Sequence, residues 1–542
     1  MNRIDILDCT LRDGGRIIDC AFNDDAIVGI GKQLKLAGIN IIEIGFLRDG
    51  VSYKGNSTFF NSVCSASEYV CKICSNNPRK DESYVLFVDY GLYDVHNMKD
   101  SDRTEIDGIR YGFTKRDFVY NQKQIKAEME MIKAKGYDLY FQDVNTNGYE
   151  KAELIELISL ANEVMPVSFG IVDTYGSMYL EDLEEIWNIV DTYLEADIAV
   201  DFHSHNNMQM SFALAQSLIK SIGSRRLIID ATLNGMGKGA GNLNTELIVD
   251  YLVRKKNYDY DMDAVLDAID RYLDSLKREN AWGYSVPSFM AGVYKAHPNN
   301  IIYLTEKYRL NSKDIKYIIL GIDEAERQRY NYDTIREVCK EYNKCHIDDS
   351  GTINLLRTEM ENKKILILAP GRTVEEYHSL ICEYIKKEKP IVISVNYRPL
   401  NINIHYTFYA NTIYWEKDNE YIDSFKCIVT SNIHTDIEGV YLVDYSALIN
   451  EEDVLYDNST IMLLNLLKKF YVKEISLAGF DGLRENAENY VNTSFSNKRG
   501  DMTLADTNKE VKKMYEQYKD KVSGKILVSC LTPSIYEKAR SE

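Results

Sequence analysis

Eight short runs rich in β-branched and aromatic residues recur through the first half of the chain, and helix-period stretches separate most of them. The runs are RIDILDCT (3–10), INIIEIGF (39–46), SYVLFVDY (83–90), TEIDGIRYGF (104–113), YDLYFQDVN (137–145), VSFGIVDT (167–174), DIAVDFHSH (197–205) and RLIIDATLNG (226–235). Between them, segments such as NQKQIKAEMEMIKAKG (121–136) and LEDLEEIWNIVDTYLEA (180–196) place apolar residues three and four apart, the spacing of one helical face. Alternating strands and helices build a parallel sheet, and eight such repeats in about 250 residues have the size and rhythm of a closed (β/α)8 TIM barrel. An open doubly wound sheet is the rival. The barrel is preferred because polar, chemistry-capable residues sit at the C-terminal end of nearly every run, where a barrel gathers its active site.

The chain has 542 residues, which at roughly 150 residues per domain predicts two to four domains. The strand signal disappears between about 255 and 360, where helical periodicity continues, and 281–360 is read as a helical extension of a barrel domain at 1–280. A second α/β pattern then begins. KKILILAPG (363–371) reads as a buried strand ending in a turn, a helix follows, and PIVISVNY (390–397) is the next strand; further strands are expected at 403–409, 425–430, 439–444, 473–478 and 525–530. Residues 361–542 are therefore expected to form an open α/β, Rossmann-like domain.

Composition narrows the function classes. Apolar residues at 45% and charged residues at 27% fit a globular chain. The net charge of −19 argues against a non-specific binder of nucleic acid or anionic membranes, both of which need excess Lys and Arg. No apolar run approaches the ~18–20 residues of a membrane span, and MNRIDILDCT is charged where a signal peptide is apolar, so a cytoplasmic protein is expected. Ten scattered cysteines suit a reduced compartment, and the single C-x-x-C, Cys71 and Cys74, is read as helix packing because no second pair exists to complete a zinc site.

Four strand ends carry unusual groups. The first run ends in Asp8-Cys9-Thr10-Leu11-Arg12-Asp13-Gly14-Gly15, the sixth in Asp173-Thr174-Tyr175-Gly176, the seventh in His203-Ser204-His205-Asn206-Asn207, and the eighth leads into Gly235-Met236-Gly237-Lys238-Gly239-Ala240-Gly241-Asn242. Residues i and i+2 of a strand share a face, so His203 and His205 can offer two imidazoles to one ion. Two imidazoles and a carboxylate, with Asp13 the candidate, leave open positions on a divalent metal, as a catalytic site needs. The glycine segment lacks the G-x-G-x-x-G spacing of a dinucleotide cradle and is read as a close backbone approach at the barrel mouth.

Together DCTLRDGG, IIEIGF, DTYG, HSHNN and GxGxGAGN resemble the metal-dependent aldolase and acyltransferase superfamily over roughly residues 1–280. That superfamily, with its pyruvate carboxyltransferase-type domain, includes hydroxymethylglutaryl-CoA lyases, isopropylmalate synthases and 4-hydroxy-2-oxovalerate aldolases, and this chain is most similar to the aldolase-like members. The resemblance implies a barrel that binds Mn²⁺ or Mg²⁺ through Asp13, His203 and His205, with Asn242 as a further or supporting ligand. It implies Arg12 as the electrophile facing a substrate oxygen, because cleavage of a 2-oxo acid passes through a pyruvate enolate whose oxyanion a divalent ion and a guanidinium stabilise. Thr174 resembles the hydroxyl residue that contacts the substrate carboxylate, with capping of the next helix as the plainer alternative. Glu43 reads as a barrel-interior carboxylate that needs a partner, and Arg12 is the candidate, so Glu43 would orient it. Gln142 and Asp143 are either substrate contacts or polar filler.

The chain departs from the aldolase pattern at one position: family aldolases carry a His shortly after R-D-G, whereas here Gly14-Gly15-Arg16-Ile17-Ile18-Asp19 has none. Tyr175, Tyr284 and His297 remain as candidate bases, Tyr284 also as a substrate contact. The expectation is a metal-dependent aldolase acting on a small 2-oxo acid and assembled as a homo-oligomer. A Claisen acyltransferase using acetyl-CoA is the alternative within enzymes. A non-catalytic barrel serving a nucleotide-sugar-binding C-terminal domain is the alternative outside them. In that domain Ala369-Pro370-Gly371-Arg372-Thr373, Asn396, Arg398 and Asp481 mark strand ends where a nucleotide or nucleotide sugar is expected to bind.

Overall fold

The computed structural model describes residues 3–51, 55–75, 81–306, 310, 312–329, 332–343, 346–418, 426–450, 457–485, 488–491 and 503–537. The chain divides into two compact units, Met1–Pro298 and Asn299–Glu542. The boundary falls within the helical stretch 281–360, with Val286–Val293 before it and Ser312–Leu320, Tyr332–Asn343 and Ser350–Met360 after it. No described helix is long and apolar enough to cross a membrane.

The first unit is a parallel barrel of eight strands, β1 (Ile4–Asp8), β2 (Ile41–Leu47), β3 (Ser83–Asp89), β4 (Gly108–Thr114), β5 (Asp138–Val144), β6 (Ser168–Asp173), β7 (Ala199–Ser204) and β8 (Leu227–Ala231). Each pairs with its neighbour in chain order, and β1 closes the ring by pairing with β2 on one side and β8 on the other, Leu7 opposite Ile41 and Ile6 opposite Ile229. A two-residue strand, Phe59–Phe60, adds to the end of β2. Helices follow seven of the strands: α1 (Asp24–Leu36), α2 (Val63–Cys74), α3 (Lys115–Ala134), α4 (Lys151–Val164), α5 (Leu180–Tyr193), α6 (Ser211–Ser221) and α7 (Thr245–Lys256). Between β3 and β4 the described elements are 3₁₀ turns at Val95–Asn97 and Ser101–Arg103, in a segment dense in Asp, Asn and Gly that favours turns over a helix. Helix starts follow local chemistry. The Thr114 hydroxyl accepts the Asp117 N–H, and the Asp117 carboxylate accepts the Thr114 N–H, a capping box that opens α3 directly from β4.

Strand residues of one parity, such as Ile6, Ile42, Leu86, Ile109 and Ile229, pack outward against the helices. Those of the other parity fill the barrel. Leu7, Cys9, Ile41, Val85, Tyr140 and Ile228 form an apolar plug, and above it the interior turns polar with Glu43, Arg110, Gln142, Asp201, His203 and Asp230, all buried. Interior glycines make room for this layer: a Cβ on Gly112 would lie 2.4 Å from the Phe87 ring, so only glycine lets that ring cross the lumen.

The second unit contains a seven-stranded, wholly parallel sheet of β9 (Lys364–Leu368), β10 (Ile391–Val395), β11 (Tyr406–Tyr409), β12 (Cys427–Thr430), β13 (Tyr441–Val443), β14 (Glu474–Ala478) and β15 (Leu527–Cys530), in the order β13-β12-β11-β10-β9-β14-β15. The strands are apolar on both faces because both are covered. Ile365, Ile367 and Ile393 pack with the helices Ser459–Lys468 and Leu504–Val522, while Leu366, Leu368 and Val392 pack with Ile381 and Val374. The open α/β architecture expected for 361–542 is present.

Candidate metal centre and active site

The loop after β1 places the central groups. The N–H groups of Arg12, Asp13 and Gly14 all donate to the Cys9 carbonyl, at 3.1, 2.9 and 3.2 Å, which turns the chain sharply at the barrel mouth. Asp8 anchors this turn, accepting from the Thr10 N–H at 2.9 Å and the Thr245 hydroxyl at 2.6 Å, and the Thr10 hydroxyl accepts the Leu233 N–H at 2.8 Å. The loops after β1 and β8 are thereby tied together.

Asp13, His203 and His205 converge. One ligating atom from each lies within 4.8 Å of the others, and the two imidazole centroids are 5.3 Å apart at 85°. The Asp13 Oδ2 lies 3.6 Å from His205 Nε2 and accepts the Asn242 amide at 2.9 Å. His203 Nδ1 is 2.8 Å from Asp230 Oδ2, and a proton held there leaves Nε2 as the ligating nitrogen. Burial is the largest influence on both imidazoles and pushes each down to about 4, so both are neutral at pH 7. Burial alone would raise the Asp13 carboxyl, but Arg12, then His205, His203 and Arg16, outweigh it and hold Asp13 well below the usual carboxylate range. The donor set of two neutral imidazoles and an ionised carboxylate fits a divalent cation. A further buried acceptor, Asn242 Oδ1, has no hydrogen-bond partner among the described residues.

A second triplet, Cys9, His203 and Asp230, is equally close, but its groups are committed elsewhere. The Cys9 thiol donates to the Ala231 carbonyl and burial holds it protonated, while Asp230 already accepts from Arg110.

Arg12 is held on three sides. Its Nε donates to Glu43 at 2.7 Å, its Nη1 donates to Asp13 at 2.8 Å, and its guanidinium lies 4.4 Å from the centroid of the Phe87 ring. Nη2 takes no part in these bonds. Glu43 also accepts from Arg110 at 3.1 Å, and Arg110, wholly buried, donates to Asp201 and Asp230 as well. Gln142 donates to Asp201 at 2.6 Å, so its amide belongs to this interior network. Burial, then Asp230, push Asp201 up to about 7. Arg110, Asp201 and Asp230 are absent from the candidates drawn from the sequence. The signal was there: Asp201, His203 and His205 alternate along one strand, and a lone charge inside the apolar runs GIRYGF and LIIDAT needs a buried partner.

Other predicted residues lie further out. Thr174 follows β6, half-buried, and does not cap α5, whose N-cap is Tyr179. Asp143 faces away from the lumen and accepts the Tyr149 hydroxyl at 2.6 Å. Tyr284 is 60% exposed. His297 is half-buried and pushed down to about 4, by burial first and then by Lys238 and Arg16, which places a neutral imidazole within the fields of two groups at the barrel mouth. Two arginines stand there, Arg16 4.6 Å from the Phe46 ring centroid and Arg48 4.8 Å from that of Phe59, with Asp89 at 4.0 and 3.9 Å from them. The glycine segment spends its amides internally, with Gly241 donating to Lys238, Asn242 to Gly235, and Ala240 to the Asn207 side chain. The segment delivers Asn242 to Asp13.

The turn at Ala369–Thr373 corrects an expectation. Its amides do not await an anion, because Gly371 N–H donates to Gly479 and Thr373 N–H to Asp481, and Arg372 pairs with Glu375 and Glu488 at 3.3 Å. A Cβ on Gly371 would lie 2.3 Å from the Gly479 carbonyl, so this glycine serves the close approach of two loops.

Residues 3–271 match the HMGL-like family. Relatives include the oxaloacetate decarboxylase of Mycobacterium tuberculosis, 27% identical over 270 residues, or 48% of this chain and 74% of that protein. The 4-hydroxy-2-oxovalerate aldolase of Moorella thermoacetica is 26% identical over 324 residues, 58% of this chain and 89% of that protein. Among solved structures, the N-terminal domain of a Bacteroides vulgatus protein designated an aldolase is 21% identical, with a TM-score of 0.47 over 56% of this chain and 98% of that one.

Proposed function

We propose that this chain, whose residues 3–271 belong to the HMGL-like family, is a divalent-metal-dependent carbon–carbon lyase that cleaves a 2-oxo acid to pyruvate, similar to 4-hydroxy-2-oxovalerate aldolase. The observation that carries this reading is the juxtaposition of Arg12 with the Asp13, His203 and His205 triplet. Those three residues would hold Mn²⁺ or Mg²⁺, with Asn242 beside them, and the bound ion would act as a Lewis acid toward the 2-oxo group.

The protein groups account for the rest of the chemistry. Breaking C3–C4 sends an electron pair toward the C2 carbonyl and builds negative charge on its oxygen. Arg12 Nη2, which neither Glu43 nor Asp13 engages, would stabilise that charge, while Glu43 and Phe87 keep the guanidinium from turning away. Arg16 and Arg48, each beside Asp89, and Lys238 supply cationic groups at the mouth that an anionic acid would meet. Aldol cleavage also needs a base for the 4-hydroxyl proton, and the pyruvate carbon needs a proton in return. Of the candidate bases Tyr175, Tyr284 and His297, we assign this part to His297, which is neutral and under the influence of Arg16 and Lys238 at the barrel mouth.

The missing His after Arg12-Asp13-Gly14 favours one second reading, decarboxylation of oxaloacetate, because loss of CO₂ generates the same enolate without a base. Pyruvate release from 4-hydroxy-2-oxo acids and from oxaloacetate, followed by reduction with NADH and lactate dehydrogenase, tests both. Expected is metal-dependent release from a 4-hydroxy-2-oxo acid that His297→Gln lowers by about 10²–10⁴. Release from oxaloacetate alone, indifferent to His297→Gln, would install the second reading. Thiol release from acetyl-CoA with 2-oxo acids, and no pyruvate, would place the chain with the acyltransferases.

A further inference from the structure

The sheet of the second unit ends in a cleft that the barrel chemistry does not use. It has a volume of about 440 Å³ and opens over the carboxyl ends of β9, β10 and β11. The strand order reverses beside it, since β10 lies on one side of β9 and β14 on the other. Open parallel sheets bind ligands outside the carboxyl ends of their strands at such a reversal, and the volume lies in the range of small-molecule sites, roughly 300–1,000 Å³.

The floor is fixed before any ligand arrives. Asn396, at φ 61°, donates from its amide to Ser459 at 2.9 Å, accepts the Ala410 N–H at 3.2 Å, and gives its own N–H to Phe408 at 2.8 Å. Two aromatic rings line the walls, Tyr397 and Tyr414, only 8% and 7% exposed. Basic side chains come from two elements. Arg398 follows β10, and Lys417 lies on the helix Thr412–Asp418 that follows β11; both are exposed at the opening. The two lining carboxylates are already engaged, Glu375 by Arg372 at 3.3 Å and Asp418 by the Tyr409 hydroxyl at 2.8 Å. What the lining brings to one opening is two tyrosines and two basic side chains.

We propose that this cleft binds a nucleoside phosphate, its base against Tyr397 and Tyr414 and its phosphate groups on Arg398 and Lys417. Flat apolar rings with polar tips suit a nucleobase, and paired cations suit a phosphate ester. The site is independent of the barrel reaction proposed above.

Isothermal titration of the full chain with the 5′-mono- and diphosphates of cytidine, uridine, adenosine and guanosine, and with pyrophosphate, tests this. At least one nucleotide should bind, and Arg398→Ala and Lys417→Ala should each weaken it by about tenfold or more. Both side chains are exposed, so neither variant disturbs a core, and metal content and pyruvate release should stay at wild-type levels. Absence of binding across the panel at millimolar concentration would overturn the proposal. So would binding indifferent to both substitutions, which would place the nucleotide elsewhere, or pyrophosphate binding as tightly as every nucleotide, which would leave the aromatic walls without a role.

Discussion

Arg12 reaches its position through three unlike contacts, a carboxylate across the lumen, a carboxylate next to it in sequence, and an aromatic face. Only a planar guanidinium satisfies all three, so Arg12→Lys keeps the charge and loses the alignment. Turnover is expected to fall by about 10²–10³ while metal content, measured by atomic emission, stays unchanged; undiminished turnover would remove Arg12 from the chemistry. The imidazoles give a second expectation. Metal binding needs neutral His, and a group whose pKa is pushed down stays neutral to lower pH. With His203 and His205 at about 4, metal affinity should hold from pH 7 through pH 6 and fail only as pH drops toward 4. A titration in which affinity is lost around pH 6.5, the ordinary His value, would show that the imidazoles are not shielded as described. Much of this constellation was legible in sequence, because Asp13, His203 and His205 sit at run ends where barrels do chemistry. The charges beneath them were not. Asp230 and Arg110 are single polar letters inside apolar runs, and only the inward parity they share with Glu43 and His203 exposes them. His297 was readable as a candidate, whereas its electrostatic surroundings depend on where the chain returns after the eighth strand.

At the scale of strands and helices, the period-two and helix-period patterns carried the architecture of both sheets, since parallel strands buried on two faces leave continuous apolar runs that little else imitates. The link between β3 and β4 broke the rhythm because its Asp, Asn and Gly residues favour tight turns. Packing between adjacent strands was not legible at all. Gly112 is an unremarkable letter in GIRYGF, yet its missing side chain lets Phe87 lie beneath Arg12. Gly112→Ala should push that ring aside. The expected outcome is a lower Tm, equivalent to about 1–3 kcal/mol, together with reduced turnover. Calorimetry and pyruvate release measure the two, and unchanged turnover at a lowered Tm would deny Phe87 any part in aligning Arg12.

Across the whole molecule, every metal and enolate group named lies before Pro298, within one compact unit. A chain ending at Pro298 is expected to unfold in one transition, to bind its metal and to release pyruvate. A soluble, metal-loaded fragment without activity would show that residues after 298 complete the reaction centre. The barrel itself should resist any finer division. Arg110 extends from β4 to a carboxylate on β2, another on β7 and a third on β8. A half-barrel ending after β4 would retain only Glu43 as a counter-charge and would strand a guanidinium in an apolar lumen. Ring closure is thus enforced from the inside by a single charge that is neutralised only when both ends of the chain have arrived. Two separately expressed halves would each hold only part of this ion network until they met, so the half-barrels are expected to fold only as a pair.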